Sequence, residues 1–163
     1  MPSFTVTPRP MDPAAFAPYG TVTAIRNVAG GRQDFFTPMQ NPRATANLNV
    51  GLTRAEPKAL PLNVPALEKH EHSAQVFLPI IVGRYLATVF PALPDGQPDL
   101  ANALSFVCDE RVAIAYTPQV WHCPFVCIDS PAEMLMLRHD ERNKTDTTWW
   151  HLPDGTTLTI AAP

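Results

Sequence analysis

The sequence predicts an all-β fold, a sandwich or barrel of short strands, and three observations carry that prediction. The 163 residues hold 19 prolines against 7 glycines, and proline is excluded from helix interiors and from strand positions that must donate to a ladder. Spread along the chain, these prolines cut it into short pieces and leave no room for long helices. Segments rich in β-branched and aromatic residues recur at roughly ten-residue spacing with turn signals between them. Hydrophobic residues make up 45% of the chain and charged residues 17%, the balance of a packed body rather than a disordered one.

In order, Phe4 to Val6 is a brief β-prone start. Met11 to Phe16 reads as a short helix with Asp12 as N-cap and Pro13 at the first helical position. Gly20 ends it, and Thr21 to Ile25 alternates as a strand does. Arg26 to Gln33, with Gly30-Gly31, is an exposed loop. Ala44 to Arg54 is a strand pair or one long bent strand. Ala59 to Val64 is broken by proline, and Pro65-Ala66-Leu67-Glu68 fits one helical turn. Gln75 to Phe90 is strongly β, punctuated at Gly83-Arg84. Pro91 to Pro98 is a surface connection containing the Asp95-Gly96 turn signal. Further strands are expected at Ala103–Val107, Val112–Tyr116, Phe125–Ile128 and Glu133–His139. The tail from Lys144 to Pro163 carries Trp149-Trp150-His151 and a last alternating strand, Thr156 to Ile160.

The composition also excludes several functions. With 12 Lys+Arg against 15 Asp+Glu the formal charge is −3, so no basic stripe offers itself to nucleic acid. The longest apolar run, Val76 to Val82, is strand-sized and far short of a membrane span. The start lacks a basic region followed by an apolar one, so no secretory signal is expected. Cys108, Cys123 and Cys127 are odd in number and form no CxxC, which argues against a disulfide framework. These readings together predict one soluble, cytoplasmic domain over residues 1–163.

Two clusters can carry chemistry. In Glu68-Lys69-His70-Glu71-His72-Ser73-Ala74-Gln75, residues two apart on an extended strand share a face, so His70 and His72 can aim at one point. That suits a divalent metal or an acid–base pair, although a charged surface loop carries the same pattern. Gln75 is out of phase and needs a turn at Ser73-Ala74 to join them. The second cluster is Trp121-His122-Cys123-Pro124, whose histidine is held stiffly between an aromatic and a proline. Some fifty residues separate the two clusters, a distance that returning strands can close. Cys123 faces away from His122 on a strand and reads as a buried structural thiol. His139 and His151 read as packing and surface residues. Arg54, at the end of a strand, can clamp a carboxylate or simply be solvated.

These residues resemble a known family. Glu68-Lys69-His70 through Gln75-Val76-Phe77-Leu78-Pro79-Ile80 is similar to the Glu-basic-His and Gln-x-Phe-x-Pro segment of the ureidoglycolate lyases. Ala15-Phe16-Ala17-Pro18-Tyr19-Gly20, Arg54-Ala55-Glu56-Pro57 and Tyr116 through Val120-Trp121-His122-Cys123-Pro124 resemble three further family stretches in the same order. The chain departs at Leu137-Arg138-His139-Asp140-Glu141, where the family tends to carry an Ile-Asp-Arg-Gly-Gly-like run. The resemblance implies a cupin-like double-stranded β-helix, a jelly-roll barrel with short peripheral helices. It further implies a homodimer that cleaves ureidoglycolate to glyoxylate and urea in allantoin and purine breakdown.

Carried onto this chain, the resemblance makes His70, His122 and Gln75 the catalytic candidates, with His122 or His70 as the base. Arg54, Gln75, Trp121 and Tyr116 become the substrate-binding set. Cupin metal sites pair an HxH with a carboxylate and a later histidine, which maps onto His70, His72 and His122. Gln75 stands where a glutamate is expected, and a neutral amide weakens divalent binding. The imidazoles alone can hold nickel, zinc, manganese or iron, and the other expectation is no cofactor. The competing readings are a metal-dependent cupin enzyme, isomerase or dioxygenase, and a non-catalytic binder of another small carboxylate.

Overall fold

The computed structural model describes residues 1–26, 30–34, 39–141 and 146–163. Residues 27–29 of the expected Arg26–Gln33 loop, and 144–145 of the expected tail, lie outside the described residues.

The chain begins with strands β1 (Ser3–Val6) and β2 (Arg9–Pro10) and one helical turn, α1 (Pro13–Phe16). Asp12 caps α1 as expected, its carboxylate accepting from the amides of Ala14 and Ala15. Strand β3 (Gly20–Ala24) follows. Its first residue must be glycine, because a Cβ there would collide with the Ala115 carbonyl on the neighbouring strand. The Ala44–Arg54 region forms a single nine-residue strand, β4 (Asn47–Ala55), and the proline-broken stretch leaves only β5 (Leu62–Asn63).

Strand β6 (Ala66–His70) corrects one expectation, the single helical turn at Pro65 to Glu68. Long-range pairing overrides the local proline signal here, because Ala66–His70 is laddered on one side along its whole length and Glu68 is paired on the other. Next come β7 (Gln75–Ile81), β8 (Tyr85–Phe90), a 3-10 turn at Leu100–Asn102, β9 (Leu104–Cys108) and β10 (Val112–Tyr116). The last elements are β11 (Trp121–His122), β12 (Val126–Cys127), β13 (Ala132–Asp140), β14 (Thr147–His151) and β15 (Thr157–Ile160). Pro79 is tolerated inside β7 because β10 no longer pairs beyond Phe77 and the β13 register slips between Glu133 and Met134.

The fold is all-β, as the sequence predicted. A five-stranded sheet in the order β3-β10-β7-β13-β4 faces a seven-stranded sheet, β14-β6-β11-β8-β9-β2 with β12 also on β8. A three-stranded sheet, β1-β15-β5, covers the other side of the seven-stranded one. Strand β8 shows why. All six of its residues are buried, with Tyr85, Ala87 and Val89 packed against the five-stranded sheet and Leu86 and Phe90 against the small sheet. A strand buried on both faces reads as a continuous apolar run.

Candidate functional site

Two connections between the two larger sheets, β6 to β7 and β10 to β11, cross at one end of the sandwich, the end where β13 stops and β14 starts. They bring two rows of side chains face to face. On the five-stranded sheet, Tyr116, Gln75 and Arg138 stand in register across β10, β7 and β13. On the seven-stranded sheet, His70 pairs with Thr147 and Glu68 with His122. Strand parity sets what points inward: Leu67 and Trp121 pack into the outer core, so Glu68, His70 and His122 turn to the space between the large sheets.

His70 and His122 lie with ring centroids 5.4 Å apart and are 2% and 1% exposed. His122 Nδ1 sits 2.9 Å from the Val120 carbonyl oxygen, and its Nε2 is 3.6 Å from Glu68 Oε1. Tyr116 stacks on the His122 ring. The Arg138 guanidinium places Nη1 3.3 Å from His70 Nδ1 and donates to Thr147 Oγ1 at 3.1 Å. Its Nε and Nη2 donate to the Asp140 carboxylate at 2.9 to 3.1 Å. Glu68 and Arg138, at 14% and 11% side-chain exposure, keep the group in contact with solvent.

Burial, with the Arg138 guanidinium nearby, pushes the His70 pKa down from 6.5 to about 4, so the ring is neutral near pH 7. Burial works to raise Glu68, but His122, His70 and Arg138 hold its carboxyl below the usual range. It is therefore an anion beside the two imidazoles. Three buried atoms at this place have no hydrogen-bonding partner among the described residues: His70 Nε2, His122 Nε2 and Gln75 Oε1. Unpaired buried polar atoms cost free energy, and two such rings 5.4 Å apart with Gln75 beside His70 make a place for a polar ligand.

Of the residues expected from sequence, His70, Gln75, Tyr116 and His122 are brought together. His72 is not: β6 ends at His70, and the chain bends so that the amides of His72 and Ser73 donate to the buried Asp146 carboxylate, leaving the His72 side chain exposed. The residue sharing the His70 face is the one two before it, Glu68. Arg54 is not brought in either. It pairs with Glu133 at 2.7 Å, is 70% exposed, and lies along the ladder from Arg138 by roughly 16 Å at a strand rise of about 3.3 Å per residue. Trp121 faces the outer core, its indole N–H donating to the Gly96 carbonyl. Cys123 is buried, and burial raises its pKa well above the usual thiol range, so it is a structural thiol. Glu68 and Arg138 were missed as site residues.

Glu68, His70 and His122 offer donor atoms within 4.8 Å of one another, so a divalent metal has to be tested against them. A ligating histidine donates its other ring N–H to an acceptor. His70 Nδ1 instead faces the Arg138 guanidinium, which can only donate, and the Thr147 hydroxyl, which accepts from that guanidinium and can turn its own proton to the ring, a setting that keeps the proton on Nε2 and leaves it no lone pair to give. A carboxylate and one imidazole remain, short of the three protein ligands of a catalytic transition-metal site. The residues do not fit a resident metal.

A buried imidazole pair beside an anionic carboxylate, held between the sheets of an all-β sandwich, offers groups chemically suited to proton transfer. The chain matches the ureidoglycolate lyase family over residues 3–158 and belongs to that family. It is 30% identical over 132 residues to the ureidoglycolate lyase of Burkholderia cepacia, covering 76% of this chain and 73% of that one. To the ureidoglycolate lyase of Burkholderia mallei (strain NCTC 10229) it is 26% identical, covering 97% of this chain and 99% of the other. The ureidoglycolate lyase of Pseudomonas savastanoi pv. phaseolicola is 28% identical across 84% of this chain and 85% of its own.

Proposed function

We propose that this protein is a carbon–nitrogen lyase that cleaves ureidoglycolate to glyoxylate and urea, with residues 1–163 acting as one cupin-like domain. Family membership supports the substrate, and the observation that carries the chemistry is the facing of His70 and His122 over unpaired polar atoms. Ureidoglycolate bears a hydroxyl, a carboxylate and a urea nitrogen on one carbon. Cleavage removes the hydroxyl proton and returns one to the departing nitrogen, consuming no water. A neutral imidazole suits the removal. The Gln75 carboxamide oxygen accepts from the urea amino group, and the Glu68 anion stabilises an imidazolium formed beside it. Incubating the purified protein with ureidoglycolate tests the reading: urea and glyoxylate in equal amounts support it, and ammonia in place of urea defeats it.

The cytoplasmic, homodimeric state belongs to the same proposal. All three cysteines are free and buried, as suits a reducing compartment. Leu48, Val50 and Leu52 are exposed in a row on the edge strand β4, with Ile80 and Ile81 exposed on β7. An apolar patch of this kind marks an association surface, and a second copy related by a two-fold axis covers it self-complementarily. Sedimentation checks this, since Val50→Lys is expected to shift a dimer to monomer.

A further inference from the structure

What the two imidazoles offer inside the site is set by the bonds they make outside it. His122 Nδ1 lies 2.9 Å from the Val120 carbonyl oxygen. A carbonyl only accepts, so Nδ1 carries the proton, and in the neutral ring Nε2, 3.6 Å from Glu68 Oε1, presents a lone pair. His70 is arranged the other way. Its Nδ1 meets Arg138 Nη1 at 3.3 Å and the Thr147 hydroxyl at 3.3 Å. The guanidinium can only donate, and the hydroxyl that accepts from it can turn its own proton to the ring. Nδ1 therefore accepts, and the orphaned Nε2 presents a proton.

We infer that Arg138 is a positioning residue that locks His70 as the Nε2–H tautomer, so that the two facing imidazoles enter the reaction with opposite polarity. This rests on the cleavage reading above and deepens it by separating two roles that the sequence left interchangeable. Arg138 cannot drift from its task, since Asp140 holds its Nε and Nη2, and Asp140 is itself bonded by Asn49. Its positive charge also opposes a second proton on His70.

The three orphaned atoms then form a pattern. His70 Nε2 donates, Gln75 Oε1 accepts and His122 Nε2 accepts. A ureido group offers a carbonyl oxygen and an amino group side by side, matching the first two, and the adjacent hydroxyl matches the third. His122 Nε2 takes the hydroxyl proton. The O–H electron pair becomes the C=O bond of glyoxylate, and the C–N pair leaves with nitrogen. The proton held on His122 passes to that nitrogen, which completes urea and restores the ring. His70 loses no proton; it hydrogen-bonds the urea carbonyl as negative charge builds there, the part a neutral imidazole plays as an electrophile.

Long-range 1H–15N correlation spectra of the imidazoles in the 15N-labelled protein test this without any turnover. Wild-type protein is expected to show His70 protonated at Nε2 only and His122 at Nδ1 only. Arg138→Met is expected to let His70 exchange between tautomers and to lower kcat roughly 10- to 100-fold with a smaller change in KM. Arg138→Lys, which restores a donor, should recover part of both. Wild-type His70 protonated at Nδ1, both rings in one tautomer, or loss of the His70 Nε2–H signal on adding one equivalent of Zn2+ would each overturn the inference. If Arg138→Met does not fold, the wild-type and Arg138→Lys spectra still decide. Opposite tautomers in a protein that fails to cleave ureidoglycolate would sink the lyase reading alone. Cleavage without opposite tautomers would sink only the role of Arg138.

Discussion

Tyr116 lies almost parallel to the imidazole of His122, with ring centroids 4.1 Å apart and an interplanar angle of 13°. Behind it, Phe16 and Phe77 brace the phenol ring at 5.9 and 6.4 Å. The imidazole is thus fixed at one edge by the Val120 carbonyl and on one face by an aromatic wall. Tyr116→Phe keeps the wall and is expected to retain activity within a few-fold. Tyr116→Ala opens a cavity, costs about 3–5 kcal/mol of stability and lowers kcat more than it raises KM. Steady-state kinetics and urea denaturation separate the two variants, and equal losses in both would assign the effect to the hydroxyl.

Glu68 supplies charge, not bulk. Glu68→Gln preserves size while removing the anion 3.6 Å from His122 Nε2, so the imidazolium formed during turnover loses its partner. Glyoxylate release is expected to fall by about two orders of magnitude with little change in the folded-state spectrum. An unimpaired Glu68→Gln enzyme would remove the carboxylate from the reaction.

His70 makes stability depend on pH in one direction. The folded ring stays neutral down to about 4, whereas the unfolded ring takes a proton near 6.5. Between those values the unfolded chain binds more protons, so stability falls as pH drops below about 6.5, by up to on the order of 3 kcal/mol by pH 4. Glu68, held below 4.5 in the fold, adds to the loss at still lower pH. Denaturation midpoints recorded from pH 7 to pH 4 should decline in wild type and decline less in His70→Asn.

Arg54 sits in an exposed pair with Glu133, and such pairs contribute about 0–1 kcal/mol. Arg54→Ala is expected to leave kcat/KM unchanged and stability within that margin. A large rise in KM would restore Arg54 as a carboxylate clamp and overturn its placement away from the site.

Dialysis against a strong chelator is expected to leave urea release unchanged, because Arg138 occupies the nitrogen that a ligating His70 would need for its second hydrogen bond. Activity that disappears and returns with nickel, zinc, manganese or iron would contradict this.

The strands of the core were legible wherever pattern was local: the run from Gln75 to Phe90, the Asp12 cap, the alternation from Glu133 to His139. What escaped depended on where one strand stopped. His70-x-His72 suggests a shared face only if the strand continues, and it ends at His70 because Asp146, in a distant part of the chain, draws the next amides out of line. A signal for Glu68 was present, since it is in phase with His70 on the other side. Arg138 carried one too: it occupies the same phase as Met134 and Met136, whose side chains meet the core, and a charged residue in a core-facing phase calls for a buried partner. Trp121 failed by the parity that excluded Cys123, adjacent residues on a strand pointing to opposite faces.

Because the two rows of the site belong to different sheets, the gap between them acts as a ruler for the reaction. Side chains deep in the sandwich, such as Phe77, Tyr85 and Met134, set how far apart His122 and Gln75 are held. Exchanging one of these for a residue of different volume tunes the rate through spacing alone, from positions that never touch the reacting molecule.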